Sequence, residues 1–376
     1  MKAVLALGLS LGFSTPVNAQ QAPKISGYVQ PSLAARYLPQ AVPEYRIAYG
    51  LEESRAGLRI RGQGNDAWSY NIYLYLTGET IDVLTKAIAL DTDNDGDAEK
   101  IYTRSESAAR NLLREASAAW TPSESLTVQF GRMSVPYTTQ AQANDTELLF
   151  PQRASPNAVF FEGRDLGALA KMDVNDGVVQ AQIGVFNGTG QAMGVDSQSG
   201  ALYAVRLDLN PLGGFDRSET GDARGPFRIG IGAGLIAHPY TKYDGAGYPS
   251  TGVVDFRGTA SVRMTGGGFH ILAEGLGRYE ADTITHRPVT ALGAFGQAGW
   301  RSMGGLEPVF RLGWTVEDLS FAPQHTYWGE AGFNYYLKNT QQTTNPVRLG
   351  IHYVGEMRLT ERETAHGASA QALVRF

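Results

Sequence analysis

Apolar and polar residues alternate one by one along most of the chain after residue 24. From Trp68 to Thr77 every second residue is apolar, and the same pattern runs over 254–264 and 327–338. Successive side chains of a β-strand point to opposite faces, so a period of two predicts strands whose two faces differ in character. The pattern therefore indicates an all-β protein.

The alternating runs predict an even number of strands, sixteen in all. We place them at 24–37, 55–63, 67–79, 110–121, 125–133, 165–174, 177–187, 200–210, 226–238, 251–264, 267–279, 289–302, 307–316, 326–338, 346–356 and 368–376.

Short and long connections alternate between these strands. Tight turns are predicted at Gly64-Asn65-Asp66, Pro122-Ser123-Glu124, Asn175-Asp176, Thr265-Gly266 and 302–305. The long connections are 38–54, 80–109, 134–164, 188–199, 239–250, 280–288, 317–325 and 357–367. This alternation is typical of an up-and-down outer-membrane barrel with short periplasmic turns, and the connection 211–225 is its one exception.

The two strand faces decide between a membrane barrel and a soluble β-sandwich or lectin. One face is apolar with Tyr or Trp near its ends (Trp68, Tyr279, Trp300, Trp314, Tyr327, Tyr353), as expected of a lipid-facing band between aromatic girdles. The other face carries Arg, Asp, Glu and Gln, which cannot form a dry core. The chain also ends in an alternating run that closes on Phe376. We therefore predict a sixteen-stranded antiparallel transmembrane β-barrel over residues 20–376.

The first nineteen residues predict a secretory signal peptide, cleaved after Ala19. Lys2 gives a positive start, residues 3–13 are apolar, and Val17-Asn18-Ala19 has the small-x-small form of a cleavage site. Eleven apolar residues are too few to span a bilayer as a helix. The Ser-hydrolase pattern at residues 8–12 lies inside this segment and is discarded.

Composition narrows the function classes further. The chain has no cysteine, which excludes disulfide scaffolds, thiolate metal sites and cysteine nucleophiles. Without the leader, 31 basic and 37 acidic residues give a net charge of −6, which argues against a nucleic-acid partner.

A sixteen-stranded barrel encloses an aqueous lumen unless something fills it. The longest connection, 134–164, has 31 residues and apolar clusters suited to packing. We expect it to fold inward and narrow the pore, with Arg153 and Arg164 presenting charge beside Glu162 and Asp165. The alternative is that these residues form surface salt bridges without effect on flux.

Several segments resemble the phosphate-selective porin O and P family. They are "LTVQFGRMSVPY" (126–137), "LLFPQRASPNAVFFEGRDLGALAKM" (148–172), "GYVQPSLAARY" (27–37) and "SRAGLRIRGQ" (54–63). The resemblance implies a sixteen-stranded barrel, usually trimeric, that passes anions by diffusion. In the family's phosphate-selective members, a ladder of arginines and lysines at the narrowing does the selecting.

The strand faces allow that ladder to be tested. Thirteen basic residues are predicted to face inward: Arg59, Arg61, Lys171, Arg206, Arg228, Arg257, Arg263, Arg278, Arg301, Arg311, Lys338, Arg348 and Arg375. Eight acidic residues share that face: Glu115, Asp173, Asp208, Asp255, Glu274, Glu317, Glu330 and Glu356. Pairs such as Arg206 with Asp208 would neutralise part of the ladder, and 134–164 contains no lysine. These features favour a general porin with mild anion preference over a phosphate-specific channel.

The acidic hairpin 80–109 contains a calcium-like loop. Asp91, Asp93, Asp95, Asp97 and Glu99 supply oxygen ligands at alternate positions, and Gly96 allows the turn. Tyr102 stands where a bidentate Glu is required, so the alternative is an acidic, solvated turn. No cofactor is expected, and a structural calcium ion is the alternative that this loop leaves open.

Two other function classes remain open. A barrel hydrolase would need Ser or Asp beside a histidine, and none of His238, His270, His286, His325, His352 and His366 lies in a recognisable motif. An adhesin or structural barrel would have its lumen sealed by 134–164. The favoured hypothesis is a non-enzymatic outer-membrane porin whose partners are membrane lipid, lipopolysaccharide and small hydrophilic or anionic solutes. The resemblance also implies a homotrimer.

Overall fold

The computed structural model has one antiparallel sheet that closes on itself. The structure describes residues 22–37, 47–50, 54–75, 88–90, 100–102, 113–160, 163–188, 198–214, 218–219, 225–243, 249–282, 288–319, 323–337, 347–358 and 363–376. Its strands in the first half are β1 Lys24–Gln30, β2 Ser32–Tyr37, β3 Ile47–Gly50, β4 Arg55–Gln63, β5 Trp68–Tyr75, β6 Ile88–Leu90, β7 Lys100–Tyr102, β8 Leu113–Ser123, β9 Leu126–Ser134, β10 Arg164–Val174 and β11 Val179–Phe186.

The second half continues the same up-and-down order. Its strands are β12 Gln198–Ser199, β13 Leu202–Leu209, β14 Arg228–Tyr243, β15 Pro249–Gly266, β16 Phe269–Asp282, β17 Pro288–Trp300, β18 Leu306–Val316, β19 His325–Leu337, β20 Val347–Arg358 and β21 Glu363–Arg375. The pairings place β1 with β2, β3 with β4, and β12 with β13 at one position each in the wall, while β6 and β7 pair only with each other. The wall therefore has the predicted sixteen strands.

The first and last strands close the barrel. β1 pairs with β4 on one side and with β21 on the other, where Tyr28 lies opposite Arg375. Gly27 and Phe376 exchange backbone hydrogen bonds of 2.8 and 3.0 Å. Pro31, which has no N–H to donate, lies at the break between β1 and β2.

The two faces of the wall are opposite in polarity, as predicted. Along β13, Tyr203, Val205 and Leu207 are exposed, whereas Arg206 and Asp208 are buried. The exposed apolar residues form the outer face and the polar residues face the enclosed space. An apolar exterior around a polar interior is the reverse of a soluble protein and is typical of a transmembrane barrel.

Three of the long connections are shorter than the sequence predicted. We expected 239–250, 280–288 and 357–367, but β14 and β15 leave only 244–248 between them, and β16 and β17 leave 283–287. The prediction was wrong because backbone pairing continues past the apolar band, where side chains no longer need to alternate. The turn after β15 likewise lies at 267–268 rather than at Thr265-Gly266.

The connection between β9 and β10 contains all the described helices. Here α1 spans Thr139–Gln142, a 3₁₀ turn spans Asp145–Glu147, and α2 spans Ser155–Phe160. Thr138 caps α1 by accepting a hydrogen bond from the Ala141 amide (3.0 Å). No helix in the described ranges is long and apolar enough to cross a membrane. We call residues 135–163 the inner loop.

Candidate functional site: the lumen and its inner loop

The inner loop lies against the inner face of the wall. Its apolar side chains at Tyr137, Leu148, Leu149, Phe150 and Phe160 are fully buried. The Tyr137 hydroxyl donates to the carbonyl of Gly258 on β15 (3.0 Å). Burial of these side chains accounts for the apolar clusters of a segment that would otherwise be solvated.

Arginines of the wall hold the backbone of the inner loop. Arg257 donates to the carbonyl of Phe160 (3.0 Å), Arg311 to that of Gln152 (3.1 Å) and Arg348 to that of Leu148 (2.5 Å). Arg206 donates to the carbonyl of Tyr137. These residues belong to the predicted inward ladder, and here they anchor the loop.

Several of the same arginines are also paired with carboxylates. Arg206 binds Asp208 and Arg257 binds Asp255, both at 2.5 Å, and Arg311 binds Glu330 at 2.5 Å. The first two pairs were predicted from their spacing. Paired arginines that also hold a loop have few donors left for a passing solute. Another predicted lining residue, Arg263 on β15, is buried with 4% of its surface exposed.

The tip of the inner loop reaches the opposite wall. Asp145 pairs with Arg114 on β8 (2.6 Å) and with Arg153 of the loop itself (2.7 Å). Arg59 on β4 donates to the side-chain oxygen of Asn144 (3.1 Å). Burial alone would raise the pKa of Asp145, but the Arg114 and Arg153 guanidinium groups outweigh it and hold that pKa well below its usual range.

Arg114 was missed by sequence reasoning. The register between β5 and β8 shifts between Tyr73 and Leu74, so strict alternation fails at this point. Arg114 lies 4.6 Å from the centre of the Tyr75 ring and meets Asp145. No signal in the alternation marks the shift, because a bulge changes the face without changing the residue types.

Three of the four predicted constriction residues lie in the described part of the chain, and each has its own contacts. Arg153 binds Asp145, and it also donates to the carbonyls of Gln140 (3.3 Å) and Ala143 (3.0 Å). Arg164 binds Glu115 on β8 (2.7 Å). Asp165 accepts from the backbone amides of Leu166 (2.7 Å) and Gly188 (2.6 Å).

Glu162 lies outside the described residues. Arg164 and Asp165 are buried and Arg153 is partly exposed, so the contacts of all three place them against the wall or the inner loop itself.

An open cavity remains on the side of the lumen formed by β1, β4, β5, β8, β9 and β10. Its volume is about 540 Å³. Three cations line it, namely Lys24, Arg61 and Lys171, together with polar residues such as Asn71 and Gln129. Among the described residues of its lining there is no carboxylate. Arg61 and Lys171 were predicted to line the pore, whereas Lys24, at the start of β1, was not.

Two alternatives from the sequence were an enzyme and a metal site. His325 accepts a hydrogen bond from Trp314 (3.1 Å), and His366 shares one with Tyr353 (2.6 Å). The rings of His270 and His352 have no hydrogen-bond partner in the described part of the chain. In these same ranges no group of His, Asp and Glu could hold a metal ion. Asp91, Asp93, Asp95, Asp97 and Glu99 lie outside them, between the paired β6 and β7.

The family predicted from sequence is also found by comparison. The model of the phosphate-selective porin O and P family matches residues 53–215, a little under half of the chain. This match confirms the resemblance and includes the inner loop and most of the cationic lining. No curated protein matches the sequence.

Solved structures share the fold at low sequence identity. An anion-selective porin from Comamonas acidovorans is 14% identical, with a TM-score of 0.60 over 94% of this chain and 99% of that one. OmpF of Salmonella typhi, in complex with daunomycin, is 11% identical, with a TM-score of 0.59 over 94% and 97%. OmpT of Vibrio cholerae, folded in vitro and in its trimer form, is 10% identical, with a TM-score of 0.56 over 95% and 100%. These similarities establish the barrel fold.

Proposed function

We propose that this chain, which matches the phosphate-selective porin O and P family over residues 53–215, is an outer-membrane porin that passes small hydrophilic solutes with a mild preference for anions. It performs no chemical step and needs no cofactor for transport. Solutes cross by diffusion, and the width and charge of the lumen set the flux.

The observation that carries this proposal is the cationic cavity inside a closed wall. The inner loop is held along β13 to β20 and its tip reaches β4 and β8, while the cavity lies beside β1 to β10. Lys24, Arg61 and Lys171 give this cavity a positive potential, which lowers the barrier for an anion and raises it for a cation. The pairing of Arg206, Arg257 and Arg311 supports mild preference over a phosphate-specific ladder.

Reversal potentials in asymmetric KCl test the proposal on the reconstituted protein. The wild type should conduct in a planar bilayer, and its reversal potential should have the sign expected when Cl⁻ is more permeant than K⁺. The double variant Arg61→Glu/Lys171→Glu should lose that preference or become cation-selective, because the cavity would then carry two carboxylates.

A charge change outside the cavity is the matched control. Arg358 lies at the far end of β20, is 55% exposed, and pairs with Glu356 (2.9 Å). Arg358→Glu should leave the reversal potential near that of the wild type. Absence of conduction by the folded wild type would reject the channel, and equal shifts in both variants would reject the cavity as the selective region.

A further inference from the structure

Two connections that start at opposite rims of the barrel meet inside it. The inner loop begins at the rim of the long connections. The connection between β13 and β14, residues 210–227, begins at the rim of the tight turns, where Asn210 donates to Val178 (2.7 Å) and Gly214 to Asp176 (3.2 Å). We call it the lower connection. Its Glu219 amide donates to the carbonyl of Glu147 in the inner loop (2.9 Å).

Both carboxylate oxygens of Glu219 accept hydrogen bonds from the inner loop. One oxygen accepts from the Leu149 amide (2.8 Å) and the other from the Gln140 side-chain amide (2.9 Å). Glu219 is 2% exposed, and among the described residues no cation pairs with it. Burying a carboxylate costs several kcal/mol unless hydrogen bonds compensate. Here the compensating donors that the structure resolves belong to the inner loop.

The Gln140 side chain connects Glu219 to other parts of the inner loop through hydrogen bonds. Its side-chain oxygen accepts from the Ala154 amide (2.6 Å) and from the side chain of Asn157 (2.9 Å), both near or in α2. Its nitrogen also donates to Gln297 on β17 (3.3 Å). Glu219 is therefore connected to α1, to α2 and to the segment at Leu149 between them.

We propose that Glu219 is a positioning residue that fixes the inner loop from the turn side, so that the width of the channel is set from both rims. This inference rests on the proposed function. Glu219 is buried and touches no solute, so it acts through the loop alone. The unusual length of the connection 211–225 is explained by this role, since a tight turn at the rim would not reach Glu147.

Single-channel recording tests the role of Glu219 in conduction. Glu219→Ala should raise both the conductance and the open-channel current noise, because the inner loop loses its hydrogen bonds to the Glu219 carboxylate. Glu219→Gln keeps one acceptor oxygen and should give an intermediate effect. Glu124→Ala removes the same charge from an exposed turn between β8 and β9 and should match the wild type.

Thiol labelling tests the positioning without relying on conduction. The chain has no cysteine, so Ala154→Cys introduces a single reporter at a fully buried loop position. A water-soluble maleimide should label the reporter on the order of tenfold faster in the Glu219→Ala background, because two hydrogen bonds to a charged group are lost. The Glu124→Ala background should label at the wild-type rate.

The two readouts separate the possible outcomes. Unchanged labelling and conductance in Glu219→Ala would overturn the positioning role and leave the porin assignment intact. Faster labelling in folded protein that never conducts would support the positioning role and reject the proposed function. A variant that fails to fold is replaced by Glu219→Gln, for which labelling at the wild-type rate also counts against the proposal.

Discussion

At the scale of single residues, the basic side chains of the lumen have two separate roles. Arg206, Arg257 and Arg348 hold the inner loop through its carbonyls, whereas Lys24 and Lys171 line open space. The two groups share a residue chemistry and a strand face. Sequence alternation placed Lys171 and the three arginines on the inner face but not Lys24, and it could not separate the roles because they depend on where the inner loop lies.

Asp145 should control the order of the loop tip. Asp145→Asn removes the partner of two arginines, and losing a buried pair of this kind costs about 3 kcal/mol. We expect larger open-channel current noise in the variant, measured in planar bilayers at neutral pH. Asp66→Asn, on an exposed turn, is the matched control. Wild-type noise in Asp145→Asn would contradict a role for these pairs.

The depressed pKa of Asp145 sets the pH dependence of the same contact. An aspartate with a lowered folded-state pKa stabilises the fold above its unfolded pKa of about 3.9, and this stabilisation is lost as pH falls through the lower folded value. The noise of the wild-type channel should therefore stay constant between neutral pH and about pH 4.

At the scale of elements, the strands were predictable and the connections were not. A period of two located all sixteen wall strands, because lipid outside and water inside impose opposite demands on alternate side chains. The alternation of residue types does not show that β14 and β15 extend beyond the apolar band. It also does not show the bulge beside Arg114. The length of 211–225 was a visible anomaly whose meaning required the contact between Glu219 and Glu147.

The acidic hairpin gives a prediction at the same scale. β6 and β7 pair on either side of the stretch that contains Asp91, Asp93 and Asp95. If this stretch binds calcium, isothermal titration should show heat that Asp93→Ala abolishes, because hard cations require carboxylate oxygens. No heat with the wild type would favour a solvated acidic turn, and chelation of calcium would then leave the thermal stability unchanged.

At the scale of the whole molecule, the outer face predicts how the barrel is surrounded. Exposed apolar side chains on successive strands, such as Val205, Leu235 and Phe256, suit both acyl chains and a second barrel. We expect a homotrimer in mild detergent, as the sequence resemblance to the phosphate-selective porin O and P family implies. Native mass spectrometry should show three chains, and a single-chain species at all concentrations would contradict this expectation.

The hydrogen bond from Arg348 to Leu148 joins residues 200 positions apart and has a consequence for assembly. The inner loop is synthesised before most of the wall that holds it, and β20 is the last but one strand to be made. Contacts between distant parts of a chain form late, because the intervening segment must be ordered first. We therefore expect an assembly intermediate in which the inner loop does not yet narrow the lumen. The lumen should reach its final width only after β20 and β21 have paired.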